Sequence, residues 1–186
     1  MIHLLAISGS LRATSGNTAL LRAAIGCAPA GVQVSLYEDL EQLPIFNPDD
    51  DQHPPVYVQA LRGRIAHVDG LLIASPEYAH GVTGVIKNAL DWLVSCESFV
   101  DKPVLLFNTG NGAVHAHAAL LETLRTMSAK LYVSPAADFP LPRTPKVSID
   151  FSSDEKVTAR LCNVLSEFVA TTCHCERSEA SRFGER

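Results

Sequence analysis

The residues best suited to chemistry lie in one segment near the start of the chain, where an apolar run ends in a turn rich in hydroxyl side chains. Residues 8–18 read SGSLRATSGNT. Backbone N–H groups, a helix N-terminus and short hydroxyl groups would converge here, which suits a phosphate. The guanidinium of Arg12 adds a fixed charge and a planar fork that pairs with phosphate oxygens. The alternative is an ordinary turn in which Ser15 and Asn17 only cap a helix.

Two further loops follow apolar runs of the kind that fills the middle of a parallel sheet. They cover residues 76–82, PEYAHGV, and residues 109–115, TGNGAVH. In an open α/β sheet, ligands bind beyond the carboxyl ends of the strands, where the strand order reverses. Gly81, Gly110 and Gly112 would let the backbone come close to a flat ligand. The three loops together predict a phosphorylated ligand with a large planar end.

The elements that position these loops follow from the hydrophobic pattern. Predicted strands cover residues 2–8, 32–37, 71–75, 104–108 and 131–133. Predicted helices cover residues 17–24, 55–67, 83–94, 114–128 and 153–170, with Thr83 as a helix cap. Strands alternating with helices predict an α/β fold, a five-stranded parallel sheet with helices on both faces in a three-layer sandwich. The proline-broken acidic stretch 43–51 is predicted to be a long surface loop, a kind of segment that often carries function.

Length and charge limit the classes of partner. The 186 residues, 47% of them apolar, suit one domain, predicted over residues 1–172 and followed by a mobile tail over 173–186 with no apolar face. A net charge of −5 without a basic stripe argues against nucleic acid and anionic membranes and favours small-molecule partners. We find no signal peptide and no membrane-spanning run, so we expect a cytoplasmic protein.

Cysteine and histidine usage predicts free thiols and no metal site. The five cysteines are an odd number, and three of them sit singly among apolar or helical residues, which is typical of buried thiols in a reducing compartment. The sequence Cys-His-Cys at 173–175 has no second ligand pair at useful spacing. His115 and His117 are two residues apart and therefore on different sides of a helix, so shared metal ligation is not expected.

These motifs resemble the NAD(P)H-dependent FMN reductase family, which has a flavodoxin-like fold. The resemblance rests on SGSLR with Ser15 and Asn17-Thr18, on Pro76-Glu77-Tyr78, and on GVIKNALDWL at 84–93. It covers roughly residues 2–135 and implies a role for residues in all three loops. The phosphate of FMN would be bound by Ser10, Arg12, Ser15, Asn17 and Thr18, and the ring would lie along Pro76, Glu77, Tyr78 and Gly81, with Thr109, Gly110 and Gly112 in the third loop.

The chain departs from the family pattern beside the ring. Ala79 and His80 stand where the family usually has Asn-Gly, and the third loop lacks the usual glycine pair just before the helix. Two interpretations of His80 stay open: it donates a proton to an acceptor or a hydrogen bond to the nicotinamide amide, or it is merely exposed. Glu77 is either a ring-side residue or a carboxylate that fixes its turn. No catalytic side chain is otherwise expected, because the flavin performs the hydride chemistry.

The resemblance implies an oxidoreductase that takes electrons from NADPH or NADH through FMN to a small acceptor, such as a quinone, an azo compound, a flavin or an oxidised metal ion. It also implies a homodimer or homotetramer. A dinucleotide-binding dehydrogenase would need G-x-G-x-x-G after the first strand, and a phosphorelay receiver would need acids at Ser8 and Ser75. A flavodoxin-like electron carrier or regulatory flavoprotein stays open as the alternative.

Overall fold

The computed structural model describes residues 1–110, 114–141 and 150–173, and its centre is a parallel sheet. The strands are β1 (Ile2–Ser8), β2 (Val32–Leu36), β3 (Gly70–Ala74), β4 (Glu77–Tyr78), β5 (Gly81–Val82), β6 (Pro103–Phe107) and β7 (Lys130–Tyr132). Five of them form one sheet in the order β2-β1-β3-β6-β7, with all neighbours parallel. The remaining two, β4 and β5, form a small antiparallel hairpin.

Five α-helices connect or follow the strands. They are α1 (Gly16–Gly26), α2 (Val56–Ala66), α3 (Gly84–Leu93), α4 (His115–Thr126) and α5 (Glu155–Phe168). Local capping starts two of them: Ser15 Oγ accepts a hydrogen bond from Thr18 N, and Asp154 accepts from two amides of α5. No helix in the described ranges has the length and apolarity that crossing a membrane requires.

The apolar strands are buried because both faces of the sheet carry helices. In β1, Leu4 and Ala6 pack with α1 and α5 on one face, whereas Leu5 and Ile7 pack with α2, α3 and α4 on the other. This alternation follows from the two-residue period of a strand. It explains why β1 has a continuous apolar run, and it confirms the predicted five-stranded parallel sheet with a helical layer on each face.

The predicted strands and helices are all present, with ends that differ by a few residues, and the largest error lies at 76–82. The sequence predicted a loop there, whereas residues 77–78 and 81–82 pair as β4 and β5. Thr83 precedes α3, but its side chain does not cap the helix. Instead Thr83 Oγ1 donates a 2.8 Å hydrogen bond to the carbonyl oxygen of Gly9.

The acidic stretch 43–51 lies at the surface, as predicted, and is also hydrogen-bonded to α3. Pro44 O accepts hydrogen bonds from Trp92 Nε1 at 2.8 Å and from Asn88 Nδ2 at 2.9 Å, while Phe46 N donates to Asn88 Oδ1 at 2.8 Å. Asp51 forms a 2.6 Å ion pair with Arg62 of α2. The stretch is therefore attached to the scaffold at several points, and a functional role for it stays a prediction.

Three cysteines of the described chain are free thiols: Cys27 and Cys96 are buried, and Cys162 is half-buried. Burial raises the pKa of the Cys27 thiol to about 12, which keeps it protonated and unreactive at neutral pH. The described residues end at Cys173, the first residue of the Cys-His-Cys cluster. The rest of this cluster and of the predicted tail, residues 174–186, lies outside them.

Two glycines of the scaffold give opposite predictions for substitution by alanine. A Cβ on Gly63 in α2 would meet no atom within 4 Å, whereas one on Gly70 at the start of β3 would lie 3.1–3.2 Å from Leu4, Phe168 and a carbonyl oxygen. We expect Gly63→Ala to raise the free energy of unfolding by about 0.5–1 kcal/mol through lower chain entropy.

Gly70→Ala is expected to lower the free energy of unfolding by roughly 1–3 kcal/mol because the added Cβ would overpack the core around β3. Denaturant unfolding of both variants beside the parent protein measures the two values. Equal effects of the two substitutions would contradict the packing described around β3.

Candidate functional site

The candidate site lies at the carboxyl edge of the sheet. The central strands β1, β3 and β6 are adjacent and parallel, so the loops that follow Ser8, Ala74 and Phe107 emerge side by side. The chain runs from β1 to β2 on one side and returns to β3 on the other. This reversal between β1 and β3 is where doubly wound sheets bind their ligands.

Close packing of Gly9 joins the first two loops. Gly9 N donates to Ala74 O at 2.8 Å, which extends the ladder between β1 and β3 by one residue. A Cβ on Gly9 would lie 2.2 Å from Ser75 Oγ and 2.6 Å from Ser75 Cβ, distances at which atoms clash. Thr83 Oγ1 holds the carbonyl oxygen of Gly9 from the other side. Only glycine therefore allows the first loop to lie against the end of β3.

The first loop forms a short turn with its hydroxyl groups close to the start of α1. Ser15 N donates to Arg12 O at 3.0 Å, and Arg12 N donates to Ser10 Oγ at 3.4 Å. Thr18 Oγ1 and Ser8 Oγ are hydrogen-bonded at 2.8 Å. These contacts place all the predicted phosphate-loop residues around the N-terminus of α1, where the first amides have no acceptor within the helix.

A buried hydrogen bond links the first loop to the third. Thr109 Oγ1 donates to Asn17 Oδ1 at 2.6 Å and lies 3.2 Å from the carbonyl oxygen of Ser75. Thr109 and Asn17 are each only 7% exposed, so water does not compete for these atoms. This pair ties together the three segments that end β1, β3 and β6.

A cavity of about 210 Å³ opens beside the first loop, on the side of β2. Its walls include Ser10, Arg12 and Thr18 from the loop and Arg22 from α1, with Glu38 after β2. Two guanidinium groups and the nearby N-terminus of α1 contribute positive charge, and the carboxylates of Glu38 and Glu41 also line the cavity. The cavity is lined by residues of the predicted phosphate loop and by none of the hairpin residues 77–82.

The second loop is the hairpin of β4 and β5, and its two-residue turn is unusual. Ala79 and His80 have φ angles of +49° and +61°, in the left-handed region that favours glycine and asparagine. For residues with a Cβ this conformation costs roughly 1–2 kcal/mol each. The turn is compact and exposed, and it presents Tyr78 with 58% of its surface accessible.

Glu77 fastens this hairpin to the helix after the third loop. Its Oε2 accepts a 2.8 Å hydrogen bond from Ala116 N in the first turn of α4. The residue at the N-cap position of α4, Val114, has no side chain that can cap the helix. Glu77 therefore caps α4 from another loop, which is the turn-fixing role that the sequence left open for it. A sequence pattern carries no signal for such a cap, because the partners are 39 residues apart.

The remaining predicted residues lie at the rim of the site. Pro76 directly precedes the hairpin, Gly81 directly follows its turn, and both are half-buried. Gly110 N donates to Asn108 Oδ1 at 3.3 Å. Gly112 lies outside the described residues. His80 is exposed, and its ring packs on that of His115 with centroids 4.5 Å apart. The sequence analysis missed the contributions of Ser75, Thr83 and His115.

Exposed apolar side chains border the site from each of its three loops. Leu11 is 51% exposed, Tyr78 58% and Val114 62%. Exposed apolar groups that recur around one concave edge mark a place for an apolar ligand surface. The edge thus combines the hydroxyl and guanidinium groups of the first loop with exposed apolar side chains.

The described residues contain no group of three or more His, Cys, Asp or Glu side chains placed to hold a metal ion. His117 is half-buried in α4, and burial lowers its pKa below the usual value, an effect that the carboxylate of Asp138 opposes. His115, two residues earlier, is exposed. The two imidazoles therefore lie in different surroundings, as their spacing on a helix predicts.

The chain belongs to the NADPH-dependent FMN reductase family, whose model matches residues 2–144. This match covers most of the chain and confirms the family resemblance drawn from the three loops. FMN and a nicotinamide electron donor are the cofactors that define this family. The geometry described above is therefore that of a flavodoxin-like scaffold.

Individual relatives are redox enzymes. The chain is 43% identical over 119 residues to an NADPH:quinone oxidoreductase of Arabidopsis thaliana, covering 60% of each. It is 33% identical over 178 residues to the NADH:(hydroxy)cinnamate reductase subunit CrdA of Vibrio ruber, covering 92% of this chain and 87% of the relative.

The solved structure of FerB, a flavoenzyme NAD(P)H:(acceptor) oxidoreductase from Paracoccus denitrificans, superposes with a TM-score of 0.73. It is 26% identical and is aligned over 91% of this chain and 96% of its own. The match to the Arabidopsis enzyme spans about three fifths of that relative's length, whereas the matches to CrdA and FerB span nearly all of each.

The buried bond between Thr109 and Asn17 gives a prediction. Thr109→Val keeps the shape of the side chain but leaves Asn17 Oδ1 without its donor, so we expect the free energy of unfolding to fall by about 1–3 kcal/mol. Thr126→Val in α4 removes an exposed hydroxyl that bonds only to Glu122 O, so it serves as the matched control. Denaturant unfolding compares the two, and equal losses would show that the Thr109 bond does not join the loops.

Proposed function

We propose that this protein is an NAD(P)H-dependent FMN reductase that passes electrons from a nicotinamide through bound FMN to a small acceptor. The observation that carries the proposal is the joining of the three loops at one edge, through Gly9 against Ser75 and Thr109 against Asn17. Family membership and the redox activities printed for the relatives support the same reaction.

The phosphate of FMN fits the N-terminus of α1. Ser10, Arg12, Ser15, Asn17 and Thr18 surround this helix end, and no acidic residue lies in its first turn. First-turn amides supply N–H donors without an intrahelical acceptor, and the helix dipole adds a partial positive charge. Arg12 supplies the full charge, and Asn17 and Thr18 act through the positions of their backbone amides as well as their side chains.

The flavin ring fits the apolar part of the edge. The hairpin supplies one side of the ring site, through Pro76, Glu77, Tyr78 and Gly81. The third loop also contributes to it, through Thr109, Gly110 and Gly112. A Cβ on Gly81 would have the carbonyl oxygen of Tyr78 as its only neighbour within 4 Å, so its position is open toward solvent. A planar ligand can approach this backbone without a clash.

The residues of this chain bind and orient, and the cofactor carries the reaction. When bound, FMN supplies hydride acceptance from a nicotinamide and electron delivery to a second substrate. The exposed ring of Tyr78 and the side chain of Leu11 supply apolar surface that a bound ring would cover. His80 offers an exposed imidazole beside the same region, suited to donate a hydrogen bond or a proton to a bound substrate.

We infer a homodimer or homotetramer in the cytoplasm. Val94 and Val100, 66% and 53% exposed, flank the short helical turn that follows α3, and such exposed apolar side chains suit an interface between copies. The free thiols of Cys27, Cys96 and Cys162 support a reducing compartment. Light scattering on the purified protein measures the mass of the assembly, and a monomer would contradict the first inference.

The decisive experiment is a visible absorption spectrum of protein that has been loaded with FMN and freed of excess, followed by anaerobic addition of NADPH or NADH. We expect flavin bands that persist and then bleach within seconds, and renewed colour when a quinone is added. Bands that persist without bleaching would identify an electron carrier. Loss of the flavin on removal of the excess would contradict the proposal as a whole.

Arg12 gives the corresponding prediction for binding. A guanidinium–phosphate contact contributes about 1.5–3 kcal/mol, so Arg12→Ala should raise the Kd for FMN roughly 10- to 100-fold. Arg125→Ala, on the exposed face of α4 with only a 3.9 Å pair to Glu122, is the matched control. Fluorescence titration with FMN and with riboflavin, which lacks the phosphate, separates the phosphate contribution: Arg12→Ala should leave riboflavin affinity unchanged.

A further inference from the structure

The turn of the ring-side hairpin, Ala79 and His80, adopts a conformation that its own sequence does not favour. Both residues have positive φ angles, and the two-residue connection between β4 and β5 is of the kind for which Asn-Gly is preferred. Neither residue makes a side-chain hydrogen bond within the part of the chain that the structure describes. The pairing of β4 with β5 closes the turn, and one further contact from elsewhere in the chain adds to it.

That contact is the imidazole ring of His115, the first residue of α4. The rings of His80 and His115 lie with centroids 4.5 Å apart and an angle of 35° between their planes, within the range for stacked aromatic rings. The two residues are 35 positions apart, so the stack connects the hairpin to the element that follows the third loop.

A second contact between the same elements restricts how the hairpin can move. Glu77 Oε2 accepts a hydrogen bond from Ala116 N, the residue next to His115. The hairpin is thus attached to the first turn of α4 at its base by Glu77 and at its tip by His80. Tyr78 and Gly81, a cross-strand pair, lie between these two attachments.

We propose that His115 is a positioning residue for the flavin edge: by stacking on His80 it holds the Ala79–His80 turn in the left-handed conformation, and so fixes Tyr78 and Gly81 where the ring binds. The consequence for flavin rests on the proposed function, whereas the clamp itself is a property of the protein without ligand. His115 acts through His80 and the turn, with no contact to the flavin required.

The first test uses the protein without flavin. Hydrogen–deuterium exchange of a peptide covering residues 76–83 reports on the hairpin amides. His115→Ala should speed their exchange roughly 2- to 10-fold, the range that corresponds to the energy of one aromatic pair. His115→Phe keeps a flat ring and should restore the parent rate. His53→Ala, an exposed histidine remote from the site, is the matched control and should change nothing.

The second test asks whether His115 acts through the turn. Ala79→Asn with His80→Gly provides a turn sequence that favours the left-handed conformation without a stack. In this background His115→Ala should no longer affect exchange or the Kd for FMN, whereas in the parent it should weaken FMN binding by a factor similar to the exchange effect. The comparison is between ratios within each background, so any direct contribution of His80 to the ligand cancels.

Three results would overturn the proposal: unchanged exchange in His115→Ala, no recovery in His115→Phe, or an equal effect of His115→Ala in both backgrounds. Thermal unfolding shows whether a variant has lost its structure as a whole. If His115→Ala has, His115→Phe and the Asn-Gly background still decide the question. If the parent protein fails to bind FMN, the proposed function is wrong, but the exchange measurements on the free protein still confirm or reject the clamp.

Discussion

The absence of a side chain at Gly9 is the constraint on which the whole edge depends. The backbone of Gly9 lies against Ser75, continues the ladder of β1 with β3, and accepts the hydroxyl of Thr83. A larger residue would separate the first loop from the end of β3. The N-terminus of α1 and the hairpin would then no longer face one ligand, because their spacing is set by this contact.

Hydrogen bonds between loops convert that contact into a single site. Thr109 reaches Asn17 and the backbone of Ser75, and Glu77 reaches the first turn of α4. Buried polar groups of this kind stabilise a structure only when every partner is present. The three loops are therefore coupled, and a change in any one of them alters the geometry of the others.

The parallel sheet, and the position of the hydroxyl-rich loop at its carboxyl edge, could be predicted because their signals are local. The continuous apolar runs of β1, β3 and β6 reflect burial on two faces, and the hydroxyl-rich turn before α1 lies in eleven consecutive residues. The hairpin could not be predicted in this way, since Ala79 and His80 are poor residues for its turn and are supported by His115 from elsewhere in the chain.

The segment 84–93 shows a related limit of motifs. It contributed to the family resemblance, yet Asn88 and Trp92 use their polar atoms to hold Pro44 and Phe46 of the preceding acidic stretch. Trp92 is fully buried. These two side chains therefore belong to the scaffold, and a motif shared with a family of enzymes includes residues that stabilise the fold as well as residues that line the site.

The carboxylate of Glu77 also makes two helix N-termini at this edge of the sheet electrostatically different. It sits at the N-terminus of α4 and offsets the partial positive charge of that helix, whereas the first turn of α1 has no acidic residue and lies beside Arg12. Of these two helix ends at the same edge, one attracts an anion and the other does not. For the elongated ligand of the proposed function, with an anionic group at one end, this difference favours the orientation that places the anionic group at α1 over the reversed one.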